Sequence, residues 1–147
     1  MQSPAGYRHS TPLTVRYADL DVLGHLNHAK YLTYMEQARI QYVSDVCQWD
    51  WREGWSQLGM ILARAEIDYR LPVVFGDEAV CFTRCSRLGG KSFDLEYVLL
   101  RRRGEGEPEI AATAKTIMVS YNYAQDQTIS VPEAWRTAMI AYEPELL

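Results

Sequence analysis

The sequence predicts an α+β domain in which an antiparallel sheet wraps around one long, buried central helix. Three observations predict it. Residues 29–49 carry apolar side chains at spacings of three and four, the period of a helix. From residue 61 to residue 123 the pattern changes to the two-residue alternation of strands. The strand-like runs are separated by short turns, and consecutive strands with short connections pair antiparallel.

Taken in order, residues 1–10 are rich in Ser, Pro and Gly and read as a disordered leader. Residues 13–17 read as a short strand, with Leu13, Val15 and Tyr17 on one side and Thr14 and Arg16 on the other. In the helical run, Tyr31, Tyr34, Met35, Ala38, Tyr42, Val46 and Trp49 form an apolar stripe. Leu32, Ile40, Val43 and Cys47 widen it, so the helix is expected to be largely enclosed. Asn27 or His28 is placed to cap its start. Residues 49–59 form a connector with three tryptophans, expected to fold back on the helix end.

In residues 61–71, Ile61, Ala63, Ala65, Ile67, Tyr69 and Leu71 alternate with Leu62, Arg64, Glu66, Asp68 and Arg70, which predicts one buried face. Pro72 ends that strand because proline cannot donate to the ladder. Residues 78–88 form the next strand, and Gly89-Gly90 signals a tight hairpin. Residues 91–102 follow, with Phe93, Leu95, Tyr97 and Leu99 facing inward. Residues 103–108 are an exposed turn. Residues 110–123 are apolar on both faces, as in a central strand or one at a subunit contact. A short helix at 132–141 has Pro132 in its first turn. The 147 residues read as one domain, with a core at about 13–123.

Composition excludes several functions. The net charge is −4 and the pI about 5.4, against broad nucleic-acid binding, which needs a basic surface. No apolar run approaches the roughly 20 residues that span a bilayer, and residues 1–10 are no secretory signal. Three cysteines are an odd number at scattered positions, not a disulfide framework, so a cytoplasmic location is expected. Cys81 and Cys85 read as buried thiols.

The chemistry-bearing residues concentrate at 19–31, Asp-Leu-Asp-Val-Leu-Gly-His-Leu-Asn-His-Ala-Lys-Tyr, where the first strand gives way to the helix. Two carboxylates, two imidazoles and an amide stand here beside a helix start, whose unpaired N–H groups can hold a developing negative charge. Crowded on one loop, with no supporting ligand spacing elsewhere, these residues are not expected to form a metal site.

This run, extended to residues 15–32 and followed by Tyr34-Met-Glu-Gln-Ala-Arg39, resembles the hotdog-fold acyl-CoA thioesterases, specifically the 4-hydroxybenzoyl-CoA thioesterase-like group. It is also similar to the plant acyl-ACP thioesterases. The element order matches across about residues 13–123. The resemblance implies hydrolysis of an acyl-CoA thioester, with the acyl carrier protein ester or non-catalytic acyl-CoA binding as alternatives. It implies a homodimer or homotetramer with active sites at the subunit interface, and no cofactor, CoA being part of the substrate. The catalytic carboxylate of the group, the second aspartate of Asp-x-Asp, falls at Asp21. The helix-start N–H that polarises the carbonyl falls at His28, with Asn27 beside it. In the plant pattern a catalytic histidine falls at His25, but the asparagine two residues after the aspartate is replaced by Leu23.

Asp21 would attack the carbonyl or activate water, helped by partial burial in a cleft. Asp19 reads as structural, binding loop N–H groups, and His25 as a residue that orients Asp21, binds substrate or holds the loop. Glu36, on the helix, is a fallback base, read first as the partner of an arginine such as Arg39. Lys91 and Ser92 match a Lys-Ser pair found in related thioesterases, and Arg102, within the run 101–103, offers charge for CoA phosphates.

Overall fold

The computed structural model describes residues 1–54 and 58–146. Its sheet contains β1 (His9–Leu13), β2 (Leu58–Tyr69), β3 (Glu78–Leu88), β4 (Ser92–Arg102), β5 (Glu109–Asn122) and the two-residue β6 (Gln127–Thr128). The order is β1-β3-β4-β5-β2, every pair antiparallel, with β6 alongside the end of β5. Helix α1 (His28–Cys47) lies on one face of the sheet, and α3 (Glu133–Tyr142) packs beside it; α2 (Trp51–Gly54) is a single turn. This is the hotdog arrangement of a sheet carrying one long helix.

Helix α1 starts where the Asn27 side chain accepts a hydrogen bond from the Ala29 N–H at 3.0 Å, and stops at Gln48, whose φ of 55° is left-handed. Tyr31, Tyr34, Met35, Ala38, Tyr42 and Val43 are buried against the inward residues of β3 and β4, including Cys81, Phe93, Leu95, Tyr97 and Leu99. Burial of a large apolar side chain contributes roughly 1.5–3 kcal/mol, so this seam orients the helix. The expectation of a largely enclosed helix is corrected: Thr33, Glu36, Gln37 and Gln41 face solvent, because sheet and α3 cover only one side and one flank.

Three further expectations change. The first strand lies upstream of residues 13–17, since the inward-facing set begins with the polar residues His9 and Thr11 before Leu13 and Val15. Hydropathy alone misses such a strand; Pro12 is tolerated because β1 is an edge. The leader is ordered, with Met1 and Tyr7 packed on Phe82, Val98 and Leu100 of the outer face and the Arg84 guanidinium 4.8 Å from the Tyr7 ring centroid. In β2, the register shifts between Leu62 and Arg64, so Ile61 does not share a face with Ala65 and Ile67. That strand is also mostly exposed, because it is the sheet's other edge and lies beyond the cover of α1.

The strand at the C-terminal end, β5, is an interior strand, as its two apolar faces predict. In the connector, Trp49 packs edge-on to Trp135 of α3 at 5.9 Å and Trp51 is exposed, while Trp55 lies outside the described residues. Cys47, Cys81 and Cys85 are buried free thiols, the pKa of each pushed up to about 12 by burial. No helix among the described residues is long and apolar enough to cross a membrane.

Candidate active site

The turn at residues 21–25 holds Asp21 by its backbone and leaves part of its carboxylate open. The Asp21 N–H donates to the His25 carbonyl at 2.8 Å, and the Gly24 N–H donates to the Asp21 carbonyl at 3.0 Å. Gly24 has φ +77°, a conformation that L side chains rarely adopt, which is why glycine stands there. Oδ1 of Asp21 accepts from the Leu23 N–H at 2.9 Å and more weakly from the His25 N–H at 3.3 Å. Its Oδ2 has no partner among the described residues. Val22 and Leu23, at the tip, point into solvent.

The loop is anchored from below. The Leu26 N–H donates to the Val73 carbonyl at 2.7 Å and the Asn27 N–H to the Asp19 carbonyl at 2.9 Å, while His25 bridges to Val74. Asp19, 1% exposed, receives Arg16 Nε and Nη2 at 2.8 Å each and the Tyr34 hydroxyl at 2.9 Å, with Lys30 Nζ at 3.8 Å. The Arg16 guanidinium, with help from Tyr34, holds the pKa of the Asp19 carboxyl at about 2. Asp19 is structural, as expected, but its side chain binds arginine and tyrosine, not the loop N–H groups. Two carboxylates two residues apart thus have opposite fates: one is buried and committed, the other half-buried and available.

Asp21, His25, His28, Tyr31, Tyr69 and Arg70 border a cleft of about 270 Å³. The Tyr69 hydroxyl donates to the His28 carbonyl at 3.0 Å, and the Tyr31 and Tyr69 rings meet edge-on at 5.0 Å. The His28 N–H, at the first helical position, has no acceptor among the described residues. Asn27 is the helix cap. The His25 ring has no hydrogen-bond partner there either. The residues that carry a free carboxylate oxygen, an unpartnered imidazole and an open helix-end N–H therefore border one opening. Such a set can hold a carbonyl oxygen on the N–H while the carboxylate acts on the carbon or on a water.

The remaining candidates are placed differently. Arg102 pairs with Glu78, Arg101 with Glu109 at 2.9 Å, and Arg103 with the buried Asp77 at 2.9 Å, so the arginine run is neutralised by carboxylates. Asp77 accepts from the Val74 N–H at 2.9 Å, which puts these pairs at the same end of the sheet as the Asp21 loop. Lys91 and Ser92 stand at the other end of the 11-residue β4, roughly 30 Å away at strand rise. Ser92 Oγ accepts from Arg87 at 3.0 Å. Within one chain they do not meet Asp21. Glu36 is solvent-facing and pairs with the buried Arg39 at 3.6 Å. No group of three or more potential metal ligands gathers among the described residues.

The sequence pattern does not single out Arg70, Tyr31 or Tyr69 as site residues. The tyrosines read only as apolar spacing and Arg70 only as the wet side of a strand. The available signal is position: Arg70 is next to the end of β2, where Leu71 and Pro72 lead past the helix start. Its guanidinium has no carboxylate partner among the described residues, unlike those of the arginine run.

Comparison with known proteins relates the chain to thioesterases. The profile of the thioesterase-like superfamily matches residues 15–139. The long-chain acyl-CoA thioesterase FadM of Escherichia coli (strain K12) is 26% identical over 121 residues, covering 82% of this chain and 89% of FadM. A crystal structure of a thioesterase from Thermus thermophilus, complexed with coenzyme A and Zn, is 33% identical with a TM-score of 0.83, covering 98% of this chain and 100% of that one. A 1,4-dihydroxy-2-naphthoyl-CoA thioesterase from Synechocystis shares the fold at TM-score 0.76 and 19% identity, covering 89% of this chain and 94% of its own.

Proposed function

The chain belongs to the thioesterase-like superfamily and is a thioesterase, and on that premise we propose that it hydrolyses acyl-CoA thioesters with Asp21 as its catalytic carboxylate. The carrying observation is that Asp21, whose Oδ2 has no partner among the described residues, and His28, whose N–H has no acceptor among them, border the same cleft. In this reading the thioester carbonyl oxygen lies on the His28 N–H, where the helix end stabilises the negative charge of the tetrahedral intermediate. Asp21 either attacks the carbonyl carbon or takes a proton from the water that does. The C–S bond then breaks, releasing CoA as a thiolate that leaves without a strong acid, and water supplies the oxygen of the free acid.

His25 borders the reacting atoms, and its backbone fixes Asp21. Arg70, without a carboxylate partner among the described residues, suits a CoA phosphate. The 12 residues of β2 leave an open sheet edge, which supports a homodimer formed by a second copy at that edge. Three buried free thiols suit a cytoplasmic location.

The test is thiol release from a panel of short, long and aromatic acyl-CoAs. Turnover of at least one class is expected, and silence across the panel would reject the reading. Single turnover in ¹⁸O-water separates the two roles. Label entering the Asp21 carboxyl marks attack by Asp21, whereas label confined to the product, with no acyl-enzyme trapped on rapid quenching, marks base catalysis.

A further inference from the structure

The loop that carries Asp21 does not rest on the helix alone. It pairs with the segment 70–77 that links β2 to β3. The Leu26 N–H donates to the Val73 carbonyl at 2.7 Å, and His25 stands opposite Val74 in an antiparallel bridge. Leu26 and Val73 are both buried in the core. The pairing bears on the chemistry because the His25 backbone holds Asp21. Its carbonyl accepts from the Asp21 N–H, and its N–H donates to Asp21 Oδ1. A shift of residues 73–74 is therefore passed to the Asp21 carboxylate.

Residues 73–74 are held in turn by one residue, Asp77. Its N–H donates to the Val74 carbonyl at 3.1 Å, closing a turn whose third residue, Gly76, has a φ of +88° that glycine accepts. Its Oδ2 accepts from the Val74 N–H at 2.9 Å, so both backbone polar groups of Val74 end on Asp77. From the other side, Arg103 donates Nε to Oδ1 at 2.9 Å and Nη2 to Oδ2 at 3.0 Å, a two-pronged pairing that fixes the plane of the carboxylate. The buried Arg101 places Nη1 3.6 Å from Oδ2. The Asp77 side chain is 1% exposed. A turn needs only the bond to Val74; the two arginines tie it to the end of β4.

Building on the Asp21 reading, we infer that Asp77 is a positioning residue for the reaction, holding the Asp21 carboxylate in its productive place through Val74 and His25. Asp77 does not itself border the cleft. Its influence falls on the Asp21 side. The opposite wall, which includes Arg70 and Leu71, hangs from β5, because the N–H groups of those two residues donate to the Ala111 carbonyl at 2.9 and 3.1 Å. Arg70, the residue suited to a CoA phosphate, is thus fixed independently of Asp77. Loss of the clamp therefore lowers kcat and leaves KM nearly alone. Misplacing a catalytic group by about 1 Å can cost on the order of a hundredfold in rate.

The test is a double-mutant cycle on thiol release from the best acyl-CoA of the panel, well below the Tm of each variant. Asp77→Asn keeps the shape of the side chain and removes the charge that the arginines face. Its kcat should fall about ten- to hundredfold, with KM within about threefold of wild type. Added to Asp21→Asn, the same substitution should lower the residual rate less than about twofold, because no carboxylate is left to position. A folding defect alone would lower both backgrounds by one factor. Should Asp77→Asn not fold, Arg103→Gln, at a half-exposed residue, gives the same readout: a kcat loss of about threefold or more that is absent in the Asp21→Asn background. Unchanged kcat, a loss confined to KM, or equal losses in the two backgrounds would overturn the inference and leave the Asp21 reading standing. Near-normal kcat in Asp21→Asn, or a wild type silent on the whole panel, would overturn both.

Discussion

The two ends of α1 carry the same kinds of residue and differ in whether those residues are free. At the C-terminal end, His9 Nε2 meets Asp45 Oδ2 at 2.9 Å, and Gln41 donates to the same carboxylate at 2.9 Å. There the Tyr42 hydroxyl and the Cys85 N–H both donate to the buried Glu143, at 2.9 and 3.2 Å. Both carboxylates are committed, Asp45 to β1 and Glu143 to joining α3 and the C-terminal turn to the core. At the N-terminal end, Asp19 is equally committed, but Asp21 Oδ2, the His25 ring and the His28 N–H have no partner among the described residues. A histidine, an aspartate and a tyrosine near one another do not make a site. Unsatisfied groups at a cleft do, because only they can exchange bonds with a substrate.

That contrast can be broken by mutation. The largest stability effect is expected from Asp19→Asn, which removes the charge that Arg16 and Lys30 face in a buried position. It should cost about 1–3 kcal/mol, seen as a fall in Tm on the order of 5 °C. Its pH dependence has a defined sign. The folded carboxyl has a pKa of about 2 against an ordinary 3.8, so its contribution is present above pH 4 and is lost as pH falls toward 2. The Tm difference between wild type and Asp19→Asn should shrink over that window in thermal unfolding.

Glu143→Gln should behave with the opposite sign. Burial raises the Glu143 carboxyl above its ordinary value, so wild type loses that group's contribution as pH rises from its unfolded value. The glutamine side chain does not titrate. The variant's Tm relative to wild type should therefore improve as pH rises above the ordinary carboxyl value of 4.5, with turnover unchanged. A smaller effect is expected at the open end from Arg70→Ala. It should raise KM for acyl-CoA about fivefold at unchanged kcat, and should not affect an acyl-pantetheine thioester that lacks the nucleotide phosphates.

Much of the fold is legible in the sequence because it is carried by period and by punctuation. The helix, the four long strands, the Gly-Gly hairpin and the C-terminal helix all follow from the spacing of apolar residues and from Asn, Gly and Pro at element ends. What is not legible depends on neighbours. Strand β1 turns polar residues inward because His9 has Asp45 to meet. The bulge between Leu62 and Arg64 changes which side chains of β2 face the helix, and no composition signal marks it. The arginine run looks available for phosphate until Glu78, Glu109 and Asp77 are seen to occupy it. Arg70 looks like any wet-face residue, and only the course of the chain past the helix start puts it at the cleft.

The central claim, that Asp21 and not Asp19 carries turnover, is tested most directly by Asp21→Asn. Thiol release from the best acyl-CoA of the panel would be measured for this variant and wild type, with thermal unfolding on the same samples. A fall in kcat of about 10²–10⁴-fold at a Tm within about 2 °C of wild type is predicted, since Asp21 is half-buried and asparagine can keep its turn. Near-normal kcat in Asp21→Asn would contradict the account.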